Sequence, residues 1–135
     1  MRIITCMTKR QGKITAPSNL NIPEHEMATA RAIADCGYDV DFIERMQSNR
    51  AKSADFVANH VVWEVKSPTS DNLRVIQKRL REALHQSRDI IFDSRRMSHL
   101  SDEQIRAEVE KWATNLTHIR RLLYVNRRSE VVKIK

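Results

Sequence analysis

The chain has 135 residues, a formal net charge of +7 and a pI near 9.8, enough for one hydrophobic core and too few for two ordinary domains. The basic balance favours an anionic partner such as nucleic acid. The absence of an apolar run near 18 residues, of a signal-peptide centre in Met1 to Arg10 and of a glycine-rich phosphate loop argues against a membrane anchor and a nucleotide-driven motor. Cys6 and Cys36 match no metal spacing and do not read as a disulfide framework, which points to a reducing, cytoplasmic setting.

Only two glycines and three prolines punctuate the chain, so element boundaries are read from caps and polar clusters. Arg2 to Met7 reads as a first strand or ordered arm, and Lys9 to Asn19 as a loop. Asn21 then stands as an N-cap, with Pro23 in the first turn, Glu24 as capping-box partner and Gly37 as the stop, for a helix over residues 22–36. Tyr38 to Glu44 alternates as a strand, and Arg45 to Lys52 is a basic loop leading to a pair of strands that ends at Lys66. Ser70 is expected to cap a second helix whose apolar stripe is Leu73, Ile76, Leu80, Ala83 and Leu84. Asp89 to Asp93 is a short strand. Ser101 and Gln104 open a third helix along Ile105, Val109, Trp112 and Leu116, and strands over Arg121 to Val125 and Glu130 to Ile134 close the chain. This order predicts a single α/β domain, residues 1–135, with a mixed β-sheet flanked by α-helices; residues 1–21 form its arm and loop.

The chemistry concentrates between Ala54 and Lys66. Side chains alternate across a strand, so Val62, Glu64 and Lys66 share one face while Val61, Trp63 and Val65 take the other. Asp55, Glu64 and Lys66 together supply two carboxylates and an ammonium, which suits a divalent cation and an activated water, the equipment of metal-dependent phosphodiester hydrolysis. The plainer alternative is a ladder of ion pairs on a half-exposed strand. At helical spacing Glu26 shares a stripe with Ala30, Ile33 and Gly37, so it either points toward Asp55 and Glu64 or escapes to solvent at the helix start. The five histidines show no paired metal spacing and read as surface or helix residues. Arg45, Arg50, Lys52, Arg74, Lys78 and Arg81 form a basic cluster able to grip phosphates beside the site, with Arg95-Arg96 and Arg120-Arg121 as outer contacts. Ser67 and Thr69 are placed to meet a phosphate or simply to make a turn.

The helix glutamate, Ala30-x-x-Ile33-x-x-x-Gly37-Tyr38-x-Val40-x-Phe42, Lys52-Ser53-Ala54-Asp55, Trp63-Glu64-Val65-Lys66-Ser67 and Ala83-x-x-Gln86 before Ile90-Ile91 together resemble the PD-(D/E)XK nuclease superfamily. Within it the chain is similar to the C-terminal tRNA-cleaving domains of contact-dependent growth inhibition toxins of the CdiA type, over about residues 22–134. The resemblance implies a restriction-endonuclease-like fold and a growth-inhibiting endoribonuclease acting on tRNA. It implies that Asp55, Glu64 and the main-chain carbonyl of Val65 hold Mg2+ or Mn2+, with Glu26 completing the ion's water shell or serving a second ion. Lys66 would orient or deprotonate the attacking water, and Gln86 would stand near the site. It further implies an immunity protein or antitoxin as protein partner. A DNA endonuclease of the same fold and a non-catalytic nucleic-acid-binding module are the competing readings.

Overall fold

The structure, a computed structural model, describes residues 11–45 and 53–135. In chain order its elements are β1 (Ile14–Thr15), α1 (Glu24–Asp35), β2 (Val40–Arg45), β3 (Ser53–Ala58), β4 (Val61–Lys66), α2 (Arg74–Ala83), β5 (Asp89–Asp93), α3 (Asp102–Asn115), β6 (Arg121–Val125) and β7 (Val131–Lys133). The seven strands form one mixed sheet in sequence order. The β1/β2, β4/β5 and β5/β6 pairs are parallel, and the remaining pairs are antiparallel.

The alternation of apolar positions builds a core on each face of this sheet. Ala30, Ile33 and Ala34 of α1 pack with Val40, Phe42, Phe56 and Trp63; the Phe42 and Phe56 rings meet edge to face at 5.4 Å. On the other face Ile76 and Leu80 of α2 and Ile105 and Val109 of α3 pack with Ile90, Phe92, Leu122 and Tyr124. Each such fully buried aliphatic side chain contributes about 1.5–3 kcal/mol relative to exposure. Every residue of β5 is buried, as expected of a central strand covered on both faces. The α/β expectation therefore stands. Among the described residues no helix is long and apolar enough to cross a membrane.

Local chemistry explains the turns. Ser101 and Gln104 make the reciprocal capping box that starts α3. Gly37 ends α1 with φ 96°, a conformation glycine reaches without strain, while its N–H bonds the Ala34 carbonyl at 2.8 Å. Asn59 and His60 turn β3 into β4 with φ of 49° and 67°, the positive values that a two-residue hairpin needs. Asn59 Oδ1 accepts from the Asp39 N–H at 3.2 Å, tying the hairpin tip to the start of β2.

The structure corrects four expectations. The presumed loop from Lys9 to Asn19 contains β1, whose Ile14 pairs with Val40. Helix α1 begins at Glu24 rather than residue 22, because the N-cap position falls on Pro23, with ψ 145° and no side-chain cap bond; Glu24 instead bonds Arg31 at 2.9 Å. Ser70 does not cap α2: its Oγ accepts from the Asn72 N–H at 3.0 Å and Asn72 Oδ1 accepts from the Arg74 N–H at 2.9 Å. The cap is thus relayed down the chain, and the helix starts only at Arg74. Cys36, expected to lie outside any disulfide, is disulfide-bonded. In addition Arg45, assigned to the basic loop, is the last residue of β2. The expected strand over Arg2 to Met7 lies outside the described residues.

Candidate functional site

The sheet forks where the charged residues lie. The β3/β4 ladder runs from the hairpin turn only as far as Phe56 opposite Trp63. Beyond that pair β3 stays with β2 down to Ser53 opposite Arg45, whereas Glu64 to Lys66 pair with Ile90 to Phe92. Asp55 and Glu64 are the first residues past the last rung and share one face by alternation. A cavity of about 550 Å³ opens in this fork. Its walls include Phe56, Trp63 and Val65 from the α1 face and Glu64, Lys66 and Glu82 from the α2 face. A gap between two diverging strands is thus reached from both layers of helices.

Burial governs the carboxylates here. It raises the Glu26 carboxyl above its ordinary value, an effect partly offset by His25. It also raises Glu64, against the lowering effect of Lys66 and Arg45, and the negative charge of Glu26 adds to the rise. Desolvation without full compensation is the physical cause in both cases. Lys66 Nζ stands 3.6 Å from Glu64 Oε2 and 3.9 Å from Glu82 Oε1, shared between two acids. Glu82 is held below the usual carboxylate range, chiefly by its hydrogen bonds from Arg79 at 2.8 and 3.1 Å.

Asp55 is treated differently. Arg45 Nε donates to Asp55 Oδ1 at 2.7 Å, Nη2 reaches the same oxygen, and Nη1 donates to Gln86 Oε1 at 3.2 Å. The guanidinium is bracketed by the two residues and forms one wall of the cavity, while Asp55 stands behind it rather than on the lining. Among the described residues no three histidine, cysteine, aspartate or glutamate side chains stand close enough to hold a metal ion. The donor set nevertheless fits Mg2+ or Mn2+ in kind. The carboxylates of Glu26, Glu64 and Asp55 and the carbonyl of Val65 are hard oxygen donors, and burial of Glu26 and Glu64 leaves negative charge that a cation would balance.

The fork gathers Glu26, Glu64, Val65, Lys66, Ser67, Gln86 and Arg45 around one cavity. Arg74, Lys78 and Arg81 do not line it. They lie exposed on α2 at helical spacing, on a line that continues to His85 at the cavity wall. Arg50 and Lys52 lie outside the described residues. Sequence reasoning missed Glu82 and gave His25 and His85 no site role, although all three line the cavity. Nothing local marks Glu82 in the sequence, because Gln86, four residues on, lies past the end of α2 at Ala83.

The contact-dependent growth inhibition CdiA C-terminal domain family model matches residues 52–131, a span holding Asp55, Glu64, Lys66, Glu82 and Gln86. No curated protein matches the sequence. The fold is similar to a chain of the CdiA-CT/CdiI toxin and immunity complex from Burkholderia pseudomallei, with a TM-score of 0.66 and 17% identity over 90% of this chain and 98% of that one. The family match spans more than half of the chain, and with the fork and its charged cavity it leads to one assignment: this chain belongs to the contact-dependent growth inhibition CdiA C-terminal domain family.

Proposed function

We propose that this CdiA C-terminal domain is a growth-inhibiting toxin that acts as a metal-dependent endoribonuclease of the PD-(D/E)XK type on tRNA. The observation that carries the reading is the shared position of Glu26, Glu64 and Lys66 around one cavity at the sheet fork. The resemblance of the surrounding sequence supplies the substrate class. A toxin of this kind requires a cognate immunity protein, in keeping with the complex in which the similar fold occurs.

Glu64, Asp55 and the Val65 carbonyl would hold Mg2+ or Mn2+, with Glu26 toward its water shell. When bound, such an ion polarises a phosphoryl oxygen and acidifies a water. The chain's own residues do the rest. Lys66, already between two carboxylates, orients the attacking water and stabilises charge on the phosphate. Glu82 keeps that ammonium from collapsing onto Glu64. Arg45 is a phosphate ligand in waiting: a substrate phosphate competes with Asp55 for its guanidinium, and release frees the Asp55 carboxylate. Exposed Arg74, Lys78 and Arg81 draw the polyanion toward the mouth through sequence-independent contacts.

The decisive experiment incubates the chain and its Asp55→Ala and Lys66→Ala variants with total tRNA and with plasmid DNA, with Mg2+ and with a chelator. Discrete tRNA fragments that require metal and disappear in both variants are expected. Cleavage that survives Lys66→Ala, or DNA cut in preference to tRNA, would remove this reading.

A further inference from the structure

A second cavity, of about 480 Å³, adjoins the first and shares His25 and Ser67 with it as walls. Its other walls come from the first turns of α1 and from the end of β5 and the segment after it, namely Glu24, Ala28, Asp93, Arg95 and Arg96. Its charges do not cancel at random. Asp93, 2% exposed, is bonded by Arg95 through Nε at 3.0 Å and Nη2 at 2.7 Å and by Thr29 Oγ1 at 2.6 Å. Arg95 Nη1 donates to Ser129 Oγ at 3.0 Å, so that guanidinium is committed to structure. Glu24 is paired with Arg31.

Among the described residues lining this cavity, the arginine not tied to a carboxylate is Arg96. It is exposed, and Nη1 donates to the Ser67 carbonyl at 3.0 Å, which fixes the guanidinium on the rim that the two cavities share. A carbonyl partner orients the group without neutralising it. An oriented arginine that pairs with no carboxylate among the described residues, on an arginine-stem and alanine wall, suits the phosphate of a nucleotide whose sugar or base rests in the cavity. Ser67 directly follows Lys66, so the rim joins the proposed reaction centre to this cavity along one short piece of chain.

The geometry points to the second cavity as a subsite for a nucleotide flanking the cut, with Arg96 as its phosphate ligand. This inference rests on the nuclease reading for its substrate but predicts a binding contact that can be measured without cleavage. The RNA path then continues from the fork past Ser67 to Arg96. His25 stands where the two cavities meet.

The test measures binding of labelled tRNA to the Glu64→Gln chain in chelator by fluorescence anisotropy across about 50–200 mM salt, the range over which phosphate contacts dominate affinity. The variants added are Arg96→Gln, which keeps a donor toward the Ser67 carbonyl while deleting the charge, Arg96→Lys, and Arg128→Gln as an exposed control. Loss of one phosphate contact lowers the slope of log K against log salt by about 0.7–0.9. The expectation is that drop in Arg96→Gln, recovery in Arg96→Lys and no change beyond the ordinary loss of a remote charge in Arg128→Gln. A slope in Arg96→Gln equal to that of Arg128→Gln overturns the subsite, as does failure of the parent chain to bind tRNA. If the wild-type chain cleaves no RNA with Mg2+ yet the Arg96 slope drops, the nuclease reading falls and the binding subsite stands.

Discussion

The β5–β6 half of the sheet and the fork handle carboxylates withdrawn from water in opposite ways. In the β5–β6 half, Asp89 is 1% exposed and takes hydrogen bonds from Arg120 at 3.0 and 2.5 Å and from Arg121 at 3.0 Å; the Arg120 bond leads the causes that hold it below its ordinary value. Asp93 is saturated in the same manner by Arg95 and Thr29. At the fork, Glu26 and Glu64 are also withdrawn from water, yet burial outweighs their partners and both are raised. Buried acids with complete partners cement a fold, whereas half-buried acids left short of positive charge mark a candidate functional site. On the proposed nuclease reading, the contrast separates structural from functional charge.

The largest effect should come from the functional side. Lys66→Ala is expected to lower tRNA cleavage by about 10²–10⁴-fold, the range of a lost positioned proton-transfer or charge-stabilising group, while lowering the free energy of unfolding by no more than about 1 kcal/mol. Parallel rate and urea-denaturation measurements check this. A large stability loss with proportionate activity loss would make Lys66 a structural residue and erase the contrast.

Asp93→Ala should behave in the reverse way. It strips Arg95 and Thr29 of a shared partner that is 2% exposed, and removing one member of a buried charged set costs about 3 kcal/mol. Equilibrium denaturation reads the loss directly. A variant as stable as the parent would show that the β5 carboxylates are dispensable, and with them half of the comparison.

How much of this was legible in the sequence differs along the same divide. The β4–β7 half obeyed local rules: the Ser101–Gln104 box, the all-apolar core of β5 and the stripe of α2 each carry their own signal, and the elements followed. The amino-terminal half is governed by tertiary contacts. β1 is two residues long and exists because β2 offers it an edge, so no periodicity announces it. Glu64 and Lys66 were readable from alternation, and Glu26 from helical spacing. That Arg45 would take Asp55 in its grip was not readable, since the register of β2 against β3 brings Ile43 opposite Asp55 and leaves Arg45 at the strand end. Glu82 acquires meaning only once α2 lies against β4.

Gly12 tests whether the β1 arm belongs to the rigid frame. A Cβ built there would sit 1.8 Å from the Tyr38 carbonyl oxygen, a backbone atom that cannot swing aside, and the Gly12 N–H bonds the Ala34 carbonyl at 2.7 Å. Gly12→Ala should destabilise by about 2 kcal/mol through this overpacking, measured by chemical denaturation. An unperturbed variant would mean that the arm yields and contributes little to holding β2.

The smallest effect is the sharpest on charge. The folded Glu26 carboxyl titrates above its ordinary value of 4.5, so the folded chain binds a proton that the unfolded chain has already released. Stability from this group is therefore present below the ordinary value and is lost as pH rises through the interval up to the raised value. Glutamine at this position has no proton to lose. Thermal melts of the parent and Glu26→Gln from pH 4 to 7 should show the variant gaining relative to the parent as pH rises, then levelling off, with a final advantage of under about 1 kcal/mol after discounting for partial exposure. A gap that does not change with pH would mean that the folded Glu26 carboxyl titrates at its ordinary value. A gap that shrinks on adding Mg2+ to the parent would show instead that a cation supplies the missing charge, since binding to the folded chain raises its stability by mass action.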